Sequence, residues 1–384
     1  MPELGEVAHA AKLLSTNLKG KTIAKFITDA KDTLVFPSLS PQDRSQVESA
    51  YVSKRIADVG RHGKYFWIVL SGGRQSDTTN KKKTGEYDVM LMHFGMTGWL
   101  NIQNVHSHFF PMERSRNGKK PDNYDEKAAA EPWPPKYYKF LLSTDDGLEI
   151  AFTDPRRLSR IRFLEIANIK KSDMETVEQV ESELMRVEPL VRMGPDFSKI
   201  ENRWSQDQFL EVLAKRKVPI KSLLLDQAVC AGVGNWMADE ILFQSRIHPE
   251  QYTNKMSLEK KKLLYDMLCE VCEVSVETEG DTEKFPKSWL MLHRWSKRQK
   301  QGERPMTADK YIVDFVTVGG RTSCFVPELQ KKENATGEED DSASESKPKA
   351  KANSRTKRLK TEQTQEDKLV KPARTRRKTR QGDR

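Results

Sequence analysis

The sequence predicts an α+β protein with an N-terminal helix, an antiparallel β-sandwich or barrel, a hinge, a helical domain with a β-hairpin, and a disordered tail. Three observations predict it. Apolar residues recur at helical spacing in residues 4–18, and six short runs rich in aromatic and β-branched residues follow. The second half shows four helical periodicities before a Gly-Gly pair that two strand-like runs flank.

The first half supplies the helix and the strands. Residues 4–18 read as one helix, which Gly20 ends. The strand-like runs are separated by Gly, Ser, Asp and Asn turns, and several in series indicate a sandwich or a barrel. They occupy residues 56–59, 64–70, 89–102, 137–144, 148–154 and 160–166. We therefore predict an N-terminal β domain over residues 1–187.

Two polar stretches interrupt these strands. Residues 72–87 are rich in lysine, and residues 103–136 carry many charges and end in a cluster of prolines. We expect both to be long surface insertions, since neither has the apolar content of a core element. Residues 172–186 are polar and acidic and predict a helix if they are ordered.

The second half is helical. Pro189 and Pro195 predict a hinge over residues 188–202, and a second domain follows over residues 203–327. Its predicted helices are residues 205–216, 221–227, 236–244 and 257–277. Its hairpin comprises residues 311–318 and 321–326. Beyond it, lysine, glutamate and serine dominate, so we predict a disordered basic tail over residues 328–384.

The basic net charge belongs to the tail. Residues 347–384 carry 15 Lys and Arg against 4 Asp and Glu, a net of +11 in a chain whose total is +10. The rest is close to neutral, so a nucleic-acid surface on it would depend on where the charges are placed. No segment is apolar enough for a membrane span or a secretory signal.

The four cysteines predict a reducing compartment and no disulfide framework. Cys269 and Cys272 form a C-x-x-C pair, but they lie within a predicted helix and no second pair stands at zinc-finger spacing. We therefore expect buried helix cysteines, no metal site and no cofactor.

The chain begins Met1-Pro2-Glu3, and removal of the methionine would expose a proline amine. A secondary amine of this kind attacks a sugar carbon and forms an iminium when it is unprotonated. The pKa of an α-amino group is roughly 8, against about 10.4 for lysine, so more of it is unprotonated at neutral pH. Glu3 is a candidate proton carrier, while Glu6 either supports the site or caps the helix.

Two further motifs could grip phosphate. A turn with two glycines, residues 231–234, precedes a helix that starts near Asn235, and helix N-terminal amides favour an anion. Arg321 follows the Gly-Gly pair at the hairpin tip. Each also has an ordinary explanation, as a helix packing joint or a surface arginine. The same holds for Lys64 at a strand start, Met96 in a β-turn and Arg156-Arg157 in a second turn.

Taken in order, these motifs resemble the formamidopyrimidine-DNA glycosylase (Fpg/Nei) family. The family's start, Pro-Glu-Leu-Pro-Glu-Val, matches residues 2–7, with Gly5 in place of the second proline. Its lysine strand, its Gly-Met-Ser/Thr-Gly turn and its Asp-Pro-Arg-Arg turn match residues 63–65, 95–98 and 154–157. Its helix–two-turn–helix matches residues 223–243. The resemblance covers roughly residues 2–327, without the insertions.

The resemblance implies a two-layered antiparallel β-sandwich and a helix–two-turn–helix domain. It also implies a bifunctional DNA glycosylase and AP lyase of base excision repair, which acts through a Pro2 Schiff base and then β/δ-elimination. Its substrate would be double-stranded DNA with oxidised bases or abasic sites, bound by a monomer. The family's catalytic roles fall on Pro2, Glu3, Lys64 and Arg321, with Glu6 in support. Its DNA-binding positions are His93, Arg156, Arg216 and Asn235, and its void-filling positions are Met96, Arg156 and Leu158.

Three features depart from the bacterial pattern. Bacterial members bind zinc through four cysteines in the hairpin, whereas this chain has only Cys324 there. Residues 319–329 resemble the plant and fungal branch, whose finger keeps its shape and its arginine without zinc. The stretch before the hairpin resembles members with a short capping loop, which favours formamidopyrimidines and hydantoins over 8-oxoguanine. Leu158 stands where the family has a phenylalanine, and is a smaller wedge.

Other functions stay open at this point. The main alternative is a non-catalytic damaged-DNA-binding protein on the same scaffold, and a second is an RNA-binding protein. A metal nuclease is disfavoured, because no convincing carboxylate cluster is present. Basic runs at residues 355–360 and 374–378 predict nuclear import or a DNA tether, with mitochondria as an alternative destination and repair proteins as partners of the tail.

Overall fold

The computed structural model describes residues 2–29, 32–37, 39–40, 42–71, 84–109, 132–170, 176–298 and 305–333. Residues 72–83 and 110–131 of the two predicted insertions lie outside these ranges, as do residues 334–384 of the predicted tail, with both of its basic runs. No helix in the described ranges is long and apolar enough to span a membrane.

The N-terminal half forms two antiparallel sheets. The strands are β1 (Ile23–Thr28), β2 (Arg55–His62), β3 (Tyr65–Ser71), β4 (Thr84–His93), β5 (Trp99–Ile102), β6 (Tyr138–Thr144), β7 (Glu149–Thr153) and β8 (Arg160–Lys170). One sheet has the order β1-β6-β7-β5 and the other β2-β3-β4-β8. Side chains from both sheets share one apolar core, so the predicted two-layered β-sandwich is confirmed.

Strand β3 is covered on both faces. Phe66 and Ile68 lie in the core between the sheets, whereas Trp67 and Val69 lie in a second cluster with helix α3 (Thr176–Leu184). Successive side chains of a strand point to opposite faces, so a strand buried on both faces is apolar without interruption. This strand holds Lys64, which precedes it, in a rigid position.

The second half is the predicted helical domain. Its helices are α4 (Gln206–Lys215), α5 (Ile220–Leu224), α6 (Asn235–Gln244) and α7 (Leu258–Glu277). The Ser205 hydroxyl accepts from Gln208 N and caps α4, and the Ser257 hydroxyl likewise accepts from Lys260 N at α7. The predicted hinge contains a short 3-10 turn, Leu190–Arg192, and its limits stay a prediction.

The hairpin comprises β9 (Asp314–Val318) and β10 (Arg321–Phe325). Gly319 and Gly320 connect the strands with φ of 56° and 75°, which only glycine adopts readily at both positions of a tight hairpin turn. Cys324 is buried in a small apolar cluster with Phe243 of α6. That cluster packs the hairpin against the helix that carries Asn235.

Helix α1 (Leu4–Leu18) joins the two halves and has the limits that the periodicity predicts. Val7 and Leu14 lie in the sandwich core, whereas Leu4 lies in the core of the helical domain. The first turn of α1 therefore lies where the two halves meet. Pro2 and Glu3 precede that turn, and both are buried.

The structure corrects the sequence prediction at three points in the first half. It adds β1 and a polar helix α2 (Arg44–Tyr51), in which Arg44 and Tyr51 are the buried residues. Both carry a weak apolar pattern, because β1 lies at a sheet edge and α2 is mostly exposed. The predicted run 89–102 is two strands, β4 and β5, on different sheets.

The predicted start of the tail at residue 328 is wrong. Gln330 is fully buried, donates to Ile247 O at 2.9 Å and accepts from Val326 N at 2.8 Å. The Glu333 carboxylate is also buried and accepts from Ser257 N at 2.8 Å. A polar composition concealed this docked segment, because its side chains bond to backbone groups of the helical domain.

Candidate active site

Three of the predicted site residues meet at one loop. The glycine loop, residues 232–234, precedes α6 and packs against the start of α1 and the β2–β3 turn. A Cβ at Gly232 would lie 2.7 Å from Leu4 Cδ1, and one at Gly63 would lie 2.8 Å from Gly232 N. Glycine at these positions lets two backbones touch. The approach brings Glu3, Lys64 and Asn235 together from distant parts of the chain.

The Glu3 carboxylate caps helix α6. Its two oxygens accept from the backbone N of Trp236 at 3.1 Å and of Met237 at 3.2 Å. A carboxylate at a helix N-terminus is stabilised by the free amides and the helix dipole. Gly234 leaves the space for it, because a Cβ there would lie 2.1 Å from Glu3 Cδ.

This arrangement bears on two interpretations of the glycine turn. The sequence left open whether the amides at this helix start bind phosphate or whether the turn is an ordinary helix packing joint. The structure assigns the amides of Trp236 and Met237 to Glu3. The anion held at this helix start is therefore a residue of the site itself, and a phosphate contact at the turn depends on the Asn235 side chain.

Glu6 caps α1 and lies close to Glu3. Its Oε2 accepts from Glu3 N at 3.0 Å, and the two glutamates form a capping box. Burial, followed by the charge of Glu3, raises the pKa of Glu6 to about 7. The protonated form of Glu6 is therefore favoured closer to neutral pH than that of an exposed glutamate.

Lys64 is buried on the other side of the glycine loop. Its Nζ donates to Val233 O at 2.9 Å. Burial lowers the pKa of Lys64; Glu3 and Glu6 oppose that shift, and the positive charge of Arg321 adds to it. A lysine with a lowered pKa transfers a proton more readily at neutral pH.

The β9–β10 hairpin is the last part of the candidate site. Asn235 Nδ2 donates to Thr322 O at 3.0 Å, which fixes strand β10 against the start of α6. A Cβ at Gly319 would lie 2.8 Å from Ser222 Oγ, so the tip also contacts α5. Arg321 follows the tip with an exposed side chain. Its guanidinium is therefore available to a ligand next to Lys64.

The three predicted void-filling residues lie on two turns that touch. A Cβ at Gly95 would lie 2.4 Å from Leu158 O, so the turn that carries Met96 contacts the turn that carries Arg156 and Leu158. Met96 is 38% exposed and Leu158 39%, a high value for large apolar side chains. Both side chains are therefore exposed on adjacent turns, and their void-filling role stays a prediction.

One buried carboxylate holds both turns. Asp154 is fully buried and accepts from Thr97 Oγ1 at 2.7 Å, from Arg156 N at 3.1 Å and from Ser159 N at 2.7 Å. The two turns therefore share one anchor. Arg157, the second arginine of this turn, forms an ion pair with Asp32 at 3.0 Å.

His93 lies at the end of β4 and stacks near the Tyr65 ring, with 4.8 Å between centroids. Burial, together with the positive charge of Lys64, lowers the pKa of His93 to about 4. Its Nδ1 accepts from Gly95 N at 3.0 Å. A neutral imidazole with its proton on Nε2 fits both observations and leaves Nε2–H as a hydrogen-bond donor.

Models of known protein families match both halves of this chain. The family model of the formamidopyrimidine-DNA glycosylase N-terminal domain matches residues 1–161, and that of the H2TH domain matches residues 193–287. A formamidopyrimidine-DNA glycosylase of Arabidopsis thaliana is 34% identical over 331 residues, which are 86% of this chain and 71% of the relative. The chain belongs to the formamidopyrimidine-DNA glycosylase family. The relative from Heliobacterium modesticaldum is 28% identical over 73% of this chain and 80% of its own length.

Solved structures of this family have the same fold. Lactococcus lactis Fpg in complex with abasic-site DNA is 20% identical, with a TM-score of 0.59 over 86% of this chain and 100% of that one. MutM in complex with DNA containing carbocyclic 8-oxo-G gives the same identity, TM-score and coverage. At this identity, the likeness supports the fold alone.

Gly5 distinguishes this chain from the formamidopyrimidine-DNA glycosylase start. A Cβ there would lie 2.4 Å from Ser275 Oγ and 2.5 Å from Ser275 O in α7. No larger residue fits, because α1 and α7 touch at this point. The substitution that the sequence left unexplained therefore follows from a helix contact.

Arg216 is the predicted DNA-binding residue for which the structure provides least support. It follows α4, where its guanidinium lies 3.7 Å from Asp226. Its side chain is exposed, and it contributes nothing to the group around the glycine loop. Its role in DNA binding stays a prediction.

Sequence reasoning missed an ionic network behind Asn235. Asp239 of α6 forms ion pairs with Lys221 and with Arg294, and all three side chains are buried. The signal was a lysine in the otherwise apolar run of α5, since a buried lysine requires a charged partner. The partner could not be inferred, because 55 residues separate Asp239 from Arg294.

The C-x-x-C cysteines are buried within a helix, as the sequence predicted. Cys269 and Cys272 are free and buried in α7, and burial raises the pKa of both thiols. Within the described ranges, no group of three His, Cys, Asp or Glu side chains is placed to hold a metal ion.

The raised pKa of Glu6 predicts a pH-dependent stability. Its folded-state pKa of about 7 exceeds 4.5, so its contribution is present below pH 4.5 and is lost as the pH rises through 7. The loss is about 3 kcal/mol. Glu6→Gln removes this titrating group. Between pH 4.5 and 7, wild type should therefore lose about 3 kcal/mol of unfolding free energy that the variant keeps. Urea unfolding measures this, with the exposed Glu211→Gln as control. Parallel pH profiles of wild type and Glu6→Gln would contradict the prediction.

Proposed function

We propose that this chain is a bifunctional DNA glycosylase and AP lyase that removes oxidised bases from double-stranded DNA. The observation that carries the proposal is the capping of α6 by Glu3. It fixes the residue next to Pro2 beside Lys64 and Asn235, and within charge range of the hairpin arginine. Membership of a family of DNA repair glycosylases supports the same function.

Binding begins with the duplex. A modified base must leave the helical stack before chemistry, at a cost of a few kcal/mol that is lower at a lesion. The exposed wedge of Met96, Arg156 and Leu158 is suited to fill the space that the base leaves. Asn235 and Arg321 would hold the phosphates of the extruded nucleotide, and His93 would donate to the backbone.

The chemical step requires a free Pro2 amine. The nitrogen lone pair attacks sugar C1′, the bond from C1′ to the base breaks, and the base leaves with the electron pair and takes a proton. Pro2 loses its own proton and forms an iminium with the opened sugar. Glu3 carries that proton to the sugar oxygen, and Glu6 positions Glu3 through the capping box.

Strand cleavage follows from the iminium. The C2′ proton is lost to water, a double bond forms between C2′ and C3′, and the 3′ phosphate leaves with the electron pair of the C3′–O bond in β-elimination. Lys64 protonates the departing phosphate, and its lowered pKa suits that transfer. In δ-elimination the C4′ proton is lost to water, the 5′ phosphate leaves with the electron pair of the C5′–O bond, and Arg321 stabilises its charge. We propose formamidopyrimidines and hydantoins as the preferred lesions, with 8-oxoguanine as a further candidate, on the resemblance to members with a short capping loop.

We propose that the hairpin holds its shape without zinc. Cys324 lies in an apolar cluster, and burial raises the pKa of its thiol to about 12, which disfavours the thiolate that zinc binds. Nuclear localisation, a monomeric state and repair-protein partners of the tail are further proposals. They rest on the sequence alone.

The function is tested with the chain that begins at Pro2. We expect it to cleave labelled duplexes with formamidopyrimidine, hydantoin or abasic sites, and to leave β- and δ-elimination ends. Borohydride should trap it covalently on abasic DNA. The Arg246→Met variant, which alters an arginine that packs on Phe243 away from the site, should behave like wild type. Tight binding of abasic duplex without cleavage or trapping would instead establish a damaged-DNA-binding protein.

A further inference from the structure

Thr322 O is the point at which the hairpin is held to the helical domain. It accepts from Asn235 Nδ2 at 3.0 Å and from Arg294 Nη2 at 3.4 Å. A carbonyl oxygen has two lone pairs, so both donors are accommodated. Thr322 follows Arg321 in β10, so this contact sets the position of the guanidinium proposed to hold DNA.

Arg294 is itself held rigidly. It is 8% exposed, and its Nε donates to Asp239 Oδ2 at 2.8 Å. Asp239 also binds Lys221, whose Nζ donates to Asn235 O at 2.8 Å. One carboxylate therefore anchors two cations, of which one fixes the Asn235 backbone and the other reaches the hairpin. Buried charges that are fully bonded in this way restrict the arrangement to one geometry.

The Asn235 amide carries two N–H groups, and one of them is engaged inside the protein. In this structure its Nδ2 donates to Thr322 O, and its Oδ1 is buried and unbonded within the described part of the chain. The proposed function requires that same amide to donate to a DNA phosphate. If the amide turns towards a phosphate, its bond to Thr322 O is lost, and the bond from Arg294 Nη2 is then the one that Thr322 O retains to the helical domain.

We propose that Arg294 is a positioning residue that holds the hairpin in register when Asn235 turns to the DNA backbone. It acts through Thr322 O and touches neither the sugar nor the base. Asp239 orients it, and its guanidinium reaches the carboxylate through Nε and the carbonyl through Nη2, a span between two nitrogens that the single nitrogen of a lysine does not reproduce. The inference rests on the proposed function, because it requires DNA at Asn235.

The test compares Arg294→Lys with a matched control, Arg203→Lys. Arg203 also joins a carboxylate and a carbonyl, those of Glu273 and Phe197, but it lies away from the hairpin. Hydrogen exchange of residues 314–325 is measured in the free protein and in a complex with a duplex that carries an uncleavable tetrahydrofuran abasic site. We expect Arg294→Lys to accelerate exchange modestly in the free protein and strongly in the complex. Arg203→Lys should change neither.

DNA binding and strand cleavage provide a second test. Arg294→Lys should weaken binding of that duplex about tenfold, since one charge-assisted hydrogen bond is lost. It should also lower the share of δ-elimination ends, while borohydride trapping at saturating enzyme stays within about twofold of wild type, because Pro2 and Glu3 are untouched. A general loss of structure would instead lower the duplex affinity, the share of δ-elimination ends and the trapping together.

Asn235→Ala removes the other donor to Thr322 O. In the free protein, each single change leaves one donor, so the double variant should lose more hairpin protection than the sum of the two. Hairpin exchange that matches wild type in the Arg294→Lys complex would overturn the inference, as would additive effects. A wild-type protein that binds the duplex without being trapped would refute the lyase proposal alone, because the exchange comparison needs only binding. Absence of DNA binding would refute both.

Discussion

A chain that retains a residue before Pro2 should form the trapped complex at least ~10³-fold more slowly than the chain that begins at Pro2. In the extended chain, the proline nitrogen belongs to a peptide bond. Its lone pair is delocalised into the carbonyl and cannot attack C1′. Single-turnover borohydride trapping on abasic DNA measures the rate. No other predicted catalytic residue is altered.

The extended chain is also its own control for binding. Lys64, Asn235 and Arg321 remain, so we expect affinity for the tetrahydrofuran duplex within about threefold of the processed chain. A chain that starts with glycine after Pro2→Gly keeps an amine but loses the ring, and should be trapped less efficiently. Equal trapping of the extended chain, or of Pro2→Gly, would remove Pro2 from the mechanism.

Gly234→Ala should abolish most of the activity through Glu3. The new Cβ would lie 2.1 Å from Glu3 Cδ and 2.4 Å from Oε1, so the carboxylate must leave the start of α6. The φ of Gly234 is −118°, which alanine adopts without strain, so the effect is steric. We expect trapping to slow about 10²–10³-fold, comparable with loss of a general acid or base.

The same change should cost stability. Trp236 N and Met237 N lose their acceptor, and loss of a helix cap with a buried charge costs about 2–3 kcal/mol. Gly147→Ala is the control, because Gly147 has a φ of 84° and nothing within 4 Å of an added Cβ. It should lose about 1 kcal/mol and no activity. Wild-type trapping by Gly234→Ala would show that the position of Glu3 is unimportant.

Local sequence patterns predicted much of the fold. The limits of α1 were predicted to the residue, and the hairpin was predicted from two glycines, because helical periodicity and turn chemistry depend on residues close in sequence. Strand β1 was missed because it is stabilised mainly by pairing with β6, more than a hundred positions away. The 328–333 segment was assigned to the tail for the same reason.

The candidate site was likewise predicted only in part. The chemical groups were evident from the sequence: an N-terminal proline followed by glutamate, a lysine at a strand start, and an arginine at a glycine hairpin. The sequence also indicated the family, because five short motifs occur in one order. It did not reveal that Glu3 occupies the amides of α6, nor that Arg294 reaches Thr322.

The sequence by itself therefore determined which reactive groups the protein has and which family it belongs to. Only the tertiary structure decided how these groups are tuned. Glu6 has a pKa near 7 because α1 is buried beside Glu3, and Lys64 has a lowered pKa because the glycine loop covers it. Both shifts arise from desolvation and from charges brought close by folding. Neither pKa can be inferred from the residues that neighbour Glu6 or Lys64 in the sequence.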